Sequence, residues 1–388
     1  MTIPSFRFHT APSITFEPGC ASRLAQIAGS RLGATILFVT DAGLRKLGLC
    51  DPAIASLEAA GVTVTVFDQV EADPSRKTLE AAVEAGRQAG ATGVVGFGGG
   101  SSLDVAKLAA LLLGSGEDLD QAWGVNEATG PRLPLILVPT TAGTGSEVTP
   151  VSIITVAQEE KRGVSSPLLQ PDMAVLDPDL TLGLPPAITA ATGIDAMVHA
   201  IEAYASTSAN NNPLSKMLAR EALRLLGGNI ERAVNNGRDA QARSAMLLGS
   251  MLAGQAFANS PVAAVHALAY PIGGTFHVPH GLSNALVLPH VLRFNASEAA
   301  QIYGNIAADA FPELAALSSP QEKTEGFIEA LADLSQRLGL PQRLRDVGIT
   351  EADLPKLARD AMKQARLLVN NPRPVSEGDA LAIYRAAL

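Results

Sequence analysis

The first half of the chain alternates short apolar runs, rich in β-branched residues, with longer Ala-rich stretches of helical periodicity. Short and nearly continuous apolar runs are typical of strands that are buried on both faces of a parallel sheet. The pattern predicts strands at residues 34–40, 62–67, 93–97, 135–138 and 173–176, with intervening helices that include residues 78–89 and 102–113. This alternation predicts an α/β fold with a parallel sheet.

The pattern changes after the pair Pro185 and Pro186. Strand signals nearly vanish, and long Ala-, Leu-, Glu- and Arg-rich stretches follow, as at residues 215–226 and 240–257. A chain of 388 residues also exceeds the size at which single cores usually stop growing. We therefore predict an α/β domain over residues 1–184 and an all-helical domain over residues 185–388.

Composition narrows the class of partner. Charged residues make up only 17% of the chain, below the roughly 25% of an average domain, which suggests extensive buried surface, including a subunit interface. A net charge of −9 without a Lys/Arg cluster argues against binding to nucleic acid or to an anionic membrane. We expect small-molecule partners.

Targeting signals and cysteine usage point to one compartment. The N-terminus resembles no secretory signal, and no uninterrupted apolar run approaches the roughly 18 residues of a membrane span. Cys20 and Cys50 lack metal-ligand spacing, so we interpret them as free thiols in a reducing environment. A cytoplasmic protein is expected.

Asp195 and His199 are four residues apart in a helical stretch, a spacing that places both side chains on one helix face. Burying an unpaired carboxylate among Ile194, Ala196 and Met197 would be costly, and a metal ion removes that cost. Most of the histidines crowd into under a quarter of the chain: His199, His266, His277, His280 and His290. Three imidazoles and one carboxylate would suit Fe(II) or Zn(II) and leave a position open for a substrate oxygen.

A cluster of glycines and serines follows the strand at residues 93–97 and opens a helix: Gly98, Gly99, Gly100, Ser101 and Ser102. Glycines let backbone N–H groups approach a pyrophosphate, and the helix N-terminus favours its negative charge. The spacing is not that of the Rossmann fingerprint, since Ser101 takes the third glycine position. A second polar loop, residues 139–147, would frame a nucleotide from the other side. Asp41, after another strand, is placed to accept the ribose hydroxyls, which favours NAD over NADP.

Four motifs together resemble the iron-containing (group III) alcohol dehydrogenases, whose fold is similar to that of dehydroquinate synthase, over essentially the whole chain. They are Gly98-Gly-Gly-Ser-x-x-Asp-x-Ala-Lys107, Pro139-Thr-Thr-x-Gly-Thr-Gly-Ser-Glu147, Ala191-Thr-Gly-x-Asp-Ala-x-x-His199 and His266 through Pro279-His-Gly281. The resemblance implies that the metal ligands are Asp195, His199, His266 and His280. It further implies that Gly98 to Ser102 hold the pyrophosphate, that Thr140, Thr141, Thr144 and Lys161 line the nucleotide site, and that the protein is a homodimer.

The chain departs from the family pattern at Tyr270, where some members carry a further histidine. A phenol with a pKa near 10 is a poorer base at neutral pH than an imidazole, so either Tyr270 or His277 is a candidate for the proton route. His277 and His290 are equally interpretable as structural residues or as residues that orient a ligand.

The expected reaction is NAD-linked interconversion of a small primary alcohol or hydroxy compound and its carbonyl, with the metal as Lewis acid on the substrate oxygen. We expect the reaction in the cleft between the domains, with a substrate wall drawn from Phe257, Asn259, Tyr270 and Phe276. Three alternatives stay open: a maleylacetate-reductase-like keto-acid reductase, a hydroxyacid–oxoacid transhydrogenase, and a catalytically silent nucleotide or metal sensor.

Overall fold

A computed structural model describes residues 5–156 and 161–388. The chain divides into two compact units. We call the first the α/β unit; it comprises His9–Thr141 and Gly145–Leu182. The second, the helical unit, comprises Gly183–Leu388, the short segment Ala142–Thr144 and an N-terminal segment that ends at Phe8.

The strands and helices that the sequence pattern predicts occur in the predicted order, among further short elements. The strands are β1 (Ile14–Phe16), β2 (Thr35–Val39), β3 (Thr63–Phe67), β4 (Gly93–Gly98), β5 (Gly124–Val125), β6 (Leu135–Pro139), β7 (Val151–Thr155), β8 (Lys161–Ser165) and β9 (Met173–Leu176). The helices of the α/β unit are α1 (Leu24–Ala28), α2 (Ala42–Lys46), α3 (Asp51–Ala59), α4 (Arg76–Ala89), α5 (Gly100–Ser115) and α6 (Leu119–Ala122). Those of the helical unit are α7 (Pro186–Ala205), α8 (Pro213–Asn235), α9 (Ala240–Asn259), α10 (Ala264–Phe276), α11 (His280–Ala310), α12 (Pro320–Arg337), α13 (Leu354–Met362), α14 (Ala365–Leu368) and α15 (Glu377–Ala387).

The predicted fold class, a parallel α/β unit followed by helices, is confirmed. A six-stranded sheet has the order β1-β9-β6-β4-β2-β3, and its neighbouring strands are parallel. The five predicted strands correspond to β2, β3, β4, β6 and β9, each within one residue at either end. Sequence analysis did not find β1, which has three residues, or the small second sheet of order β5-β8-β7.

Alternate side chains of the central strands fill two separate cores. On β2, Leu37 belongs to the core beneath α4 and α5, while Phe38 belongs to the core beneath α1 and α3. β6 repeats this alternation with Leu137 and Val138. Because successive residues of a strand face opposite sides, a sheet covered on both faces needs apolar residues at every position. This requirement explains the unbroken apolar runs in the sequence.

The carboxyl ends of β2, β4 and β6 meet at one edge, since these strands are neighbours and parallel. Asp41 follows β2, the Gly98–Ser102 turn follows β4, and Thr140 and Thr141 follow β6. Ligands of open parallel sheets bind at this edge, so the fold brings Asp41, the Gly98–Ser102 turn, Thr140 and Thr141 to one edge of the sheet.

In the helical unit, α7 is the central helix and packs against α8, α9 and α11. Pro186 begins α7 at a position where a missing N–H costs nothing. Most of its residues are buried around the whole circumference, as expected for a core helix. Among the described residues, no helix combines the length and the apolar character that crossing a membrane would require.

Candidate active site

Four predicted ligand residues converge in the helical unit. Asp195 and His199 lie one turn apart on α7, His266 lies on α10, and His280 is the first residue of α11. One ligand atom from each residue can be chosen so that all four lie within 4.8 Å of one another. Asp195, His199 and His266 are buried, whereas the His280 side chain is 31% exposed. His280 therefore marks the accessible side of the cluster.

Two distances from the Asp195 carboxylate suit a shared divalent ion. His280 Nε2 lies 3.7 Å from Asp195 Oδ1, and His266 Nε2 lies 3.9 Å from the same oxygen. An ion with bonds of about 2.1 Å can join ligand atoms up to about 4.2 Å apart. One carboxylate and three imidazoles also form the donor set that Fe(II) and Zn(II) accept. The residues present therefore fit a metal ion.

Two of the imidazoles are held in the tautomer that a metal requires. His266 Nδ1 donates to Glu202 Oε2 at 2.7 Å, and His199 Nδ1 donates to the Gly143 carbonyl at 3.2 Å. Because each Nδ1 carries the hydrogen, the lone pair lies on Nε2. Hydrogen bonds of this kind orient metal ligands and raise their basicity.

The protonation states also favour a cation. Burial lowers the pKa of His199 to about 3, so this imidazole is neutral at physiological pH. Burial alone would raise the pKa of Asp195, but the three nearby histidines and a hydrogen bond from Asn284 outweigh it and leave the pKa below its usual value. The cluster thus presents a carboxylate and, at His199, a neutral imidazole, which a divalent ion would complement.

Glu202 is a functional candidate that sequence analysis did not identify. It lies on α7 and is 4% exposed, and its carboxylate accepts the backbone N–H groups of Ala263 and Val265 as well as the His266 ring. These bonds fix the start of α10 against α7. The available signal was its position, three residues after His199 and therefore on the same helix face.

Replacing Glu202 with glutamine is expected to weaken metal binding by about 10–100-fold, because a neutral amide offers one acceptor where three donors converge. A chelator-competition titration of the purified protein measures this effect. The matched control is Glu221→Gln, which changes an exposed glutamate of α8. Equal metal affinity in Glu202→Gln and the unmodified protein would show that the Glu202 contact is merely structural.

Gly281 explains how α11 comes close enough for His280 to join the cluster. A Cβ atom at this position would lie 2.3 Å from the Ala191 carbonyl oxygen on α7 and 3.2 Å from Asp195 Cβ. Only glycine allows this approach. The glycine that follows His280 is therefore a packing requirement of the site.

The predicted phosphate turn has the backbone that its glycines suggest. Gly98 ends β4 with φ +152°, and a Cβ there would lie 2.7 Å from Ser102 Oγ. α5 begins immediately after Gly99, so its first N–H groups lie at the carboxyl edge of the sheet. Thr140 N donates to the Gly98 carbonyl at 3.0 Å, which joins the two predicted loops. Asp41 accepts from Leu44 N and caps α2.

A fully buried lysine connects α5 to the end of the second loop and to the start of β7. Lys107 Nζ donates to Ser146 Oγ at 2.8 Å, Thr149 Oγ1 at 3.2 Å and the Val151 carbonyl at 2.7 Å. Burial lowers its pKa to about 8. The same helix supplies Asp104, which accepts from Ser146 Oγ and Ile153 N. These contacts hold the helix of the phosphate turn in a fixed position.

The remaining predicted residues lie in different surroundings. Lys161 begins β8 and pairs with Asp73 at 2.5 Å. Thr144 is half-buried in the segment grouped with the helical unit. The Tyr270 ring centroid is 5.7 Å from that of His280. His277 is exposed, ends α10 in a left-handed conformation with φ +55°, and, like His290, lies outside the four-residue cluster.

Comparison with known proteins identifies the family. A sequence model described as iron-containing alcohol dehydrogenase matches residues 11–178, and one described as the C-terminal part of the Fe-containing alcohol dehydrogenase family matches residues 189–388. The two matches cover most of the chain, which therefore belongs to the iron-containing alcohol dehydrogenase family. The protein is an oxidoreductase of the alcohol dehydrogenase type, as the motifs predicted.

Individual relatives cover nearly the whole chain. Long-chain-alcohol dehydrogenase 1 of Geobacillus thermodenitrificans is 44% identical over 92% of this chain and 90% of its own length. The crystal structure of a 1,3-propanediol oxidoreductase superposes with a TM-score of 0.95 at 36% identity, over 99% of this chain and 100% of the other. Sulfoacetaldehyde reductase from Bifidobacterium kashiwanohense, solved in complex with NAD+, gives a TM-score of 0.88 at 29% identity, over 99% and 98% of the two chains.

Proposed function

We propose that the protein is a metal-dependent, NAD-linked alcohol dehydrogenase that interconverts a primary alcohol or small hydroxy compound and its carbonyl. The observation that carries the proposal is the convergence of Asp195, His199, His266 and His280 on one point. Family membership supplies the reaction class. The oriented Nε2 atoms and the single carboxylate supply a reason for metal dependence.

We propose Fe(II) as the ion, with Zn(II) also compatible with the donor set. When bound, the ion would act as a Lewis acid on the substrate oxygen. The protein holds the ligands ready for it: His266 is fixed by Glu202, and His199 is fixed by the Gly143 carbonyl. Phe257 stacks on His199 with ring centroids 4.3 Å apart, which restricts rotation of that imidazole.

For the cofactor, we propose that the turn Gly98, Gly99, Gly100, Ser101 and Ser102 holds the pyrophosphate of NAD. The N-cap of α5, Gly99, makes no side-chain cap to the first N–H groups of the helix, and a helix N-terminus favours an anion. Thr140, Thr141 and Lys161 are proposed as further contacts, and for Thr144 the proposal rests on the family motif. The NAD+ complex of the sulfoacetaldehyde reductase supports the choice of dinucleotide.

Replacing Asp41 with glycine is expected to lower the ratio of NAD to NADP turnover by at least about fivefold. Two unit charges 4 Å apart repel by about 1 kcal/mol even in water, so removal of the carboxylate relieves repulsion of a 2′-phosphate. The kcat/KM values for both cofactors measure the ratio. Asp51→Asn, which removes an exposed carboxylate from α3, is the control. An unchanged ratio in Asp41→Gly would contradict the ribose assignment.

We propose Tyr270 as the residue that contacts the substrate or passes its proton, in preference to His277. The Tyr270 ring lies beside His280, the accessible ligand. His277 is exposed and has the backbone role of ending α10. The geometry therefore favours Tyr270 for contact with the substrate or its proton, although some family members carry a histidine at this position.

The substrate class is proposed to be aliphatic alcohols and their aldehydes. Aromatic rings contribute to the surroundings of the cluster, with Phe257 against His199 and Tyr270 against His280. The relative from Geobacillus thermodenitrificans acts, by its name, on long-chain alcohols. A wall of this kind favours apolar chains over charged acids.

We propose further that the protein works as a homo-oligomer in the cytosol. The two cysteines of the sequence are unpaired and buried, and burial raises the pKa of each thiol to about 11. Stable buried thiols suit a reducing compartment.

The proposed homo-oligomer has a test of its own. Sedimentation at micromolar concentration measures the oligomeric state, and a monomer would contradict the proposal.

The decisive experiment uses protein purified without oxygen and reconstituted with Fe(II) or Zn(II). NAD-linked oxidation of a panel of alcohols, from ethanol to long-chain primary alcohols, is measured against metal occupancy. Turnover that rises with occupancy is expected. Full occupancy without oxidation of any alcohol would overturn the proposal and favour a keto-acid reductase or a transhydrogenase.

A further inference from the structure

Asn284 touches three members of the ligand cluster. It lies on α11 one turn after His280 and is fully buried. Its Nδ2 donates to Asp195 Oδ1 at 2.6 Å and lies 3.3 Å from His266 Nε2 and 3.4 Å from His280 Nε2. One amide nitrogen therefore faces ligand atoms that come from α7, α10 and α11.

The other end of the same amide has no comparable surroundings. Within the described residues, Asn284 Oδ1 is a buried acceptor without a hydrogen-bond partner. An unpaired buried carbonyl costs free energy, and an apolar residue of similar shape would avoid this cost. The contacts of Asn284 with the ligand cluster are thus made by Nδ2 and not by Oδ1.

We propose that Asn284 is a positioning residue for the metal site, which holds the Asp195 carboxylate through its Nδ2–H group. The inference rests on the proposed function, because it assigns Asn284 a part in metal binding. A carboxylate that accepts a short N–H···O hydrogen bond on one oxygen cannot rotate freely about its Cβ–Cγ bond. The bond also links α7 to α11 directly at the ligands, so the amide fixes Asp195 relative to His280.

The orientation of the amide separates this role from direct coordination. With Nδ2 towards Asp195, the amide donates and stabilises the negative charge. A rotated amide would instead place its oxygen near the carboxylate and imidazole acceptors and would add a ligand to the ion. Substitution with leucine keeps the approximate shape and removes the donor without providing an oxygen ligand.

The test compares metal binding in four proteins: the unmodified chain, Asn284→Ala, Asn284→Leu and the control Ser283→Ala. Ser283 is the preceding buried residue on α11, and its hydroxyl bonds to the Val278 and Pro279 carbonyls. Metal-free protein is titrated with Co(II) and with Zn(II) against a chromophoric chelator, and the visible spectrum of the Co(II) form is recorded. Thermal unfolding of the metal-free forms shows which variants fold.

We expect Asn284→Ala and Asn284→Leu to bind Co(II) and Zn(II) at least about 10-fold more weakly, because both lose the N–H donor to Asp195. The Co(II) spectrum should change in both variants and stay unchanged in Ser283→Ala. Equal affinity in Asn284→Ala or in Asn284→Leu would overturn the positioning role. Asn284→Leu, which has a similar shape, carries the test if the alanine variant does not fold. Failure of the unmodified chain to bind metal would overturn the proposed function itself, and this inference with it.

Discussion

Replacing His266 with alanine is expected to remove bound metal and alcohol oxidation together. His266 supplies one of four ligand atoms, and its Nε2 is directed by the Glu202 bond. Loss of an outer hydrogen-bond partner alone costs about 10–100-fold in metal affinity, so loss of the ligand should cost at least about 100-fold. It also leaves the Glu202 carboxylate buried without its ring donor. Metal content after dialysis and kcat/KM with saturating NAD measure both effects.

His290→Ala is the matched control for this substitution. His290 is likewise a histidine of the helical unit, is partly buried, and has a pKa that burial lowers to about 4, yet it lies outside the cluster. The control should keep metal and turnover. A His266→Ala protein that retained stoichiometric metal and normal kcat/KM would show that the four-residue cluster is not the catalytic metal site.

Replacing Gly281 with alanine is expected to destabilise the helical unit by about 3 kcal/mol or more, at the upper end of overpacking effects. The added Cβ would lie 2.3 Å from the Ala191 carbonyl oxygen, and a backbone atom cannot move aside as a side chain can. α11 must shift away from α7, and His280 moves with it. A loss of 3 kcal/mol corresponds to a fall in Tm of about 6–12 °C for a domain of this size, measurable by calorimetry of the metal-free protein.

Gly228→Ala distinguishes this clash from a general effect of glycine substitution. Gly228 lies in α8, is exposed, and has no atom within 4 Å of an added Cβ. Alanine there should be neutral or stabilising by up to about 1 kcal/mol, because glycine is a poor helix former. Equal Tm values for Gly281→Ala and the unmodified protein would refute the close-packing explanation for the Pro279-His-Gly281 motif.

The sequence predicted the elements of the α/β unit well because each central strand must be apolar on both faces. That requirement leaves a continuous run of apolar residues, as in β6, which begins at the predicted residue Leu135. β1 and β5 could not be found in this way, since strands of three and two residues carry too little pattern. β8 has a glycine and two basic residues among its five, a composition without a strand signal.

For the site, the sequence supplied residue types and spacing, and the structure supplied orientation. The i, i+4 spacing of Asp195 and His199 is readable from the chain, because helix geometry alone brings them together. The backing of His266 by Glu202 and of Asp195 by Asn284 depends on contacts between helices distant in sequence. The local sequence pattern does not encode such contacts, so Glu202 and Asn284 could be identified only from the structure.

The segment Ala142–Thr144 makes the helical unit discontinuous along the chain. Its Gly143 carbonyl is the acceptor that orients His199, although these three residues lie far upstream of α7. A fragment that started at residue 183 would contain every residue of the four-membered cluster and still lack the partner of one imidazole. Recombination between related genes near residue 183 would likewise combine the helices of one parent with the Gly143 segment of the other. The four-residue cluster and the acceptor that orients His199 are therefore inherited together only when the whole chain is inherited.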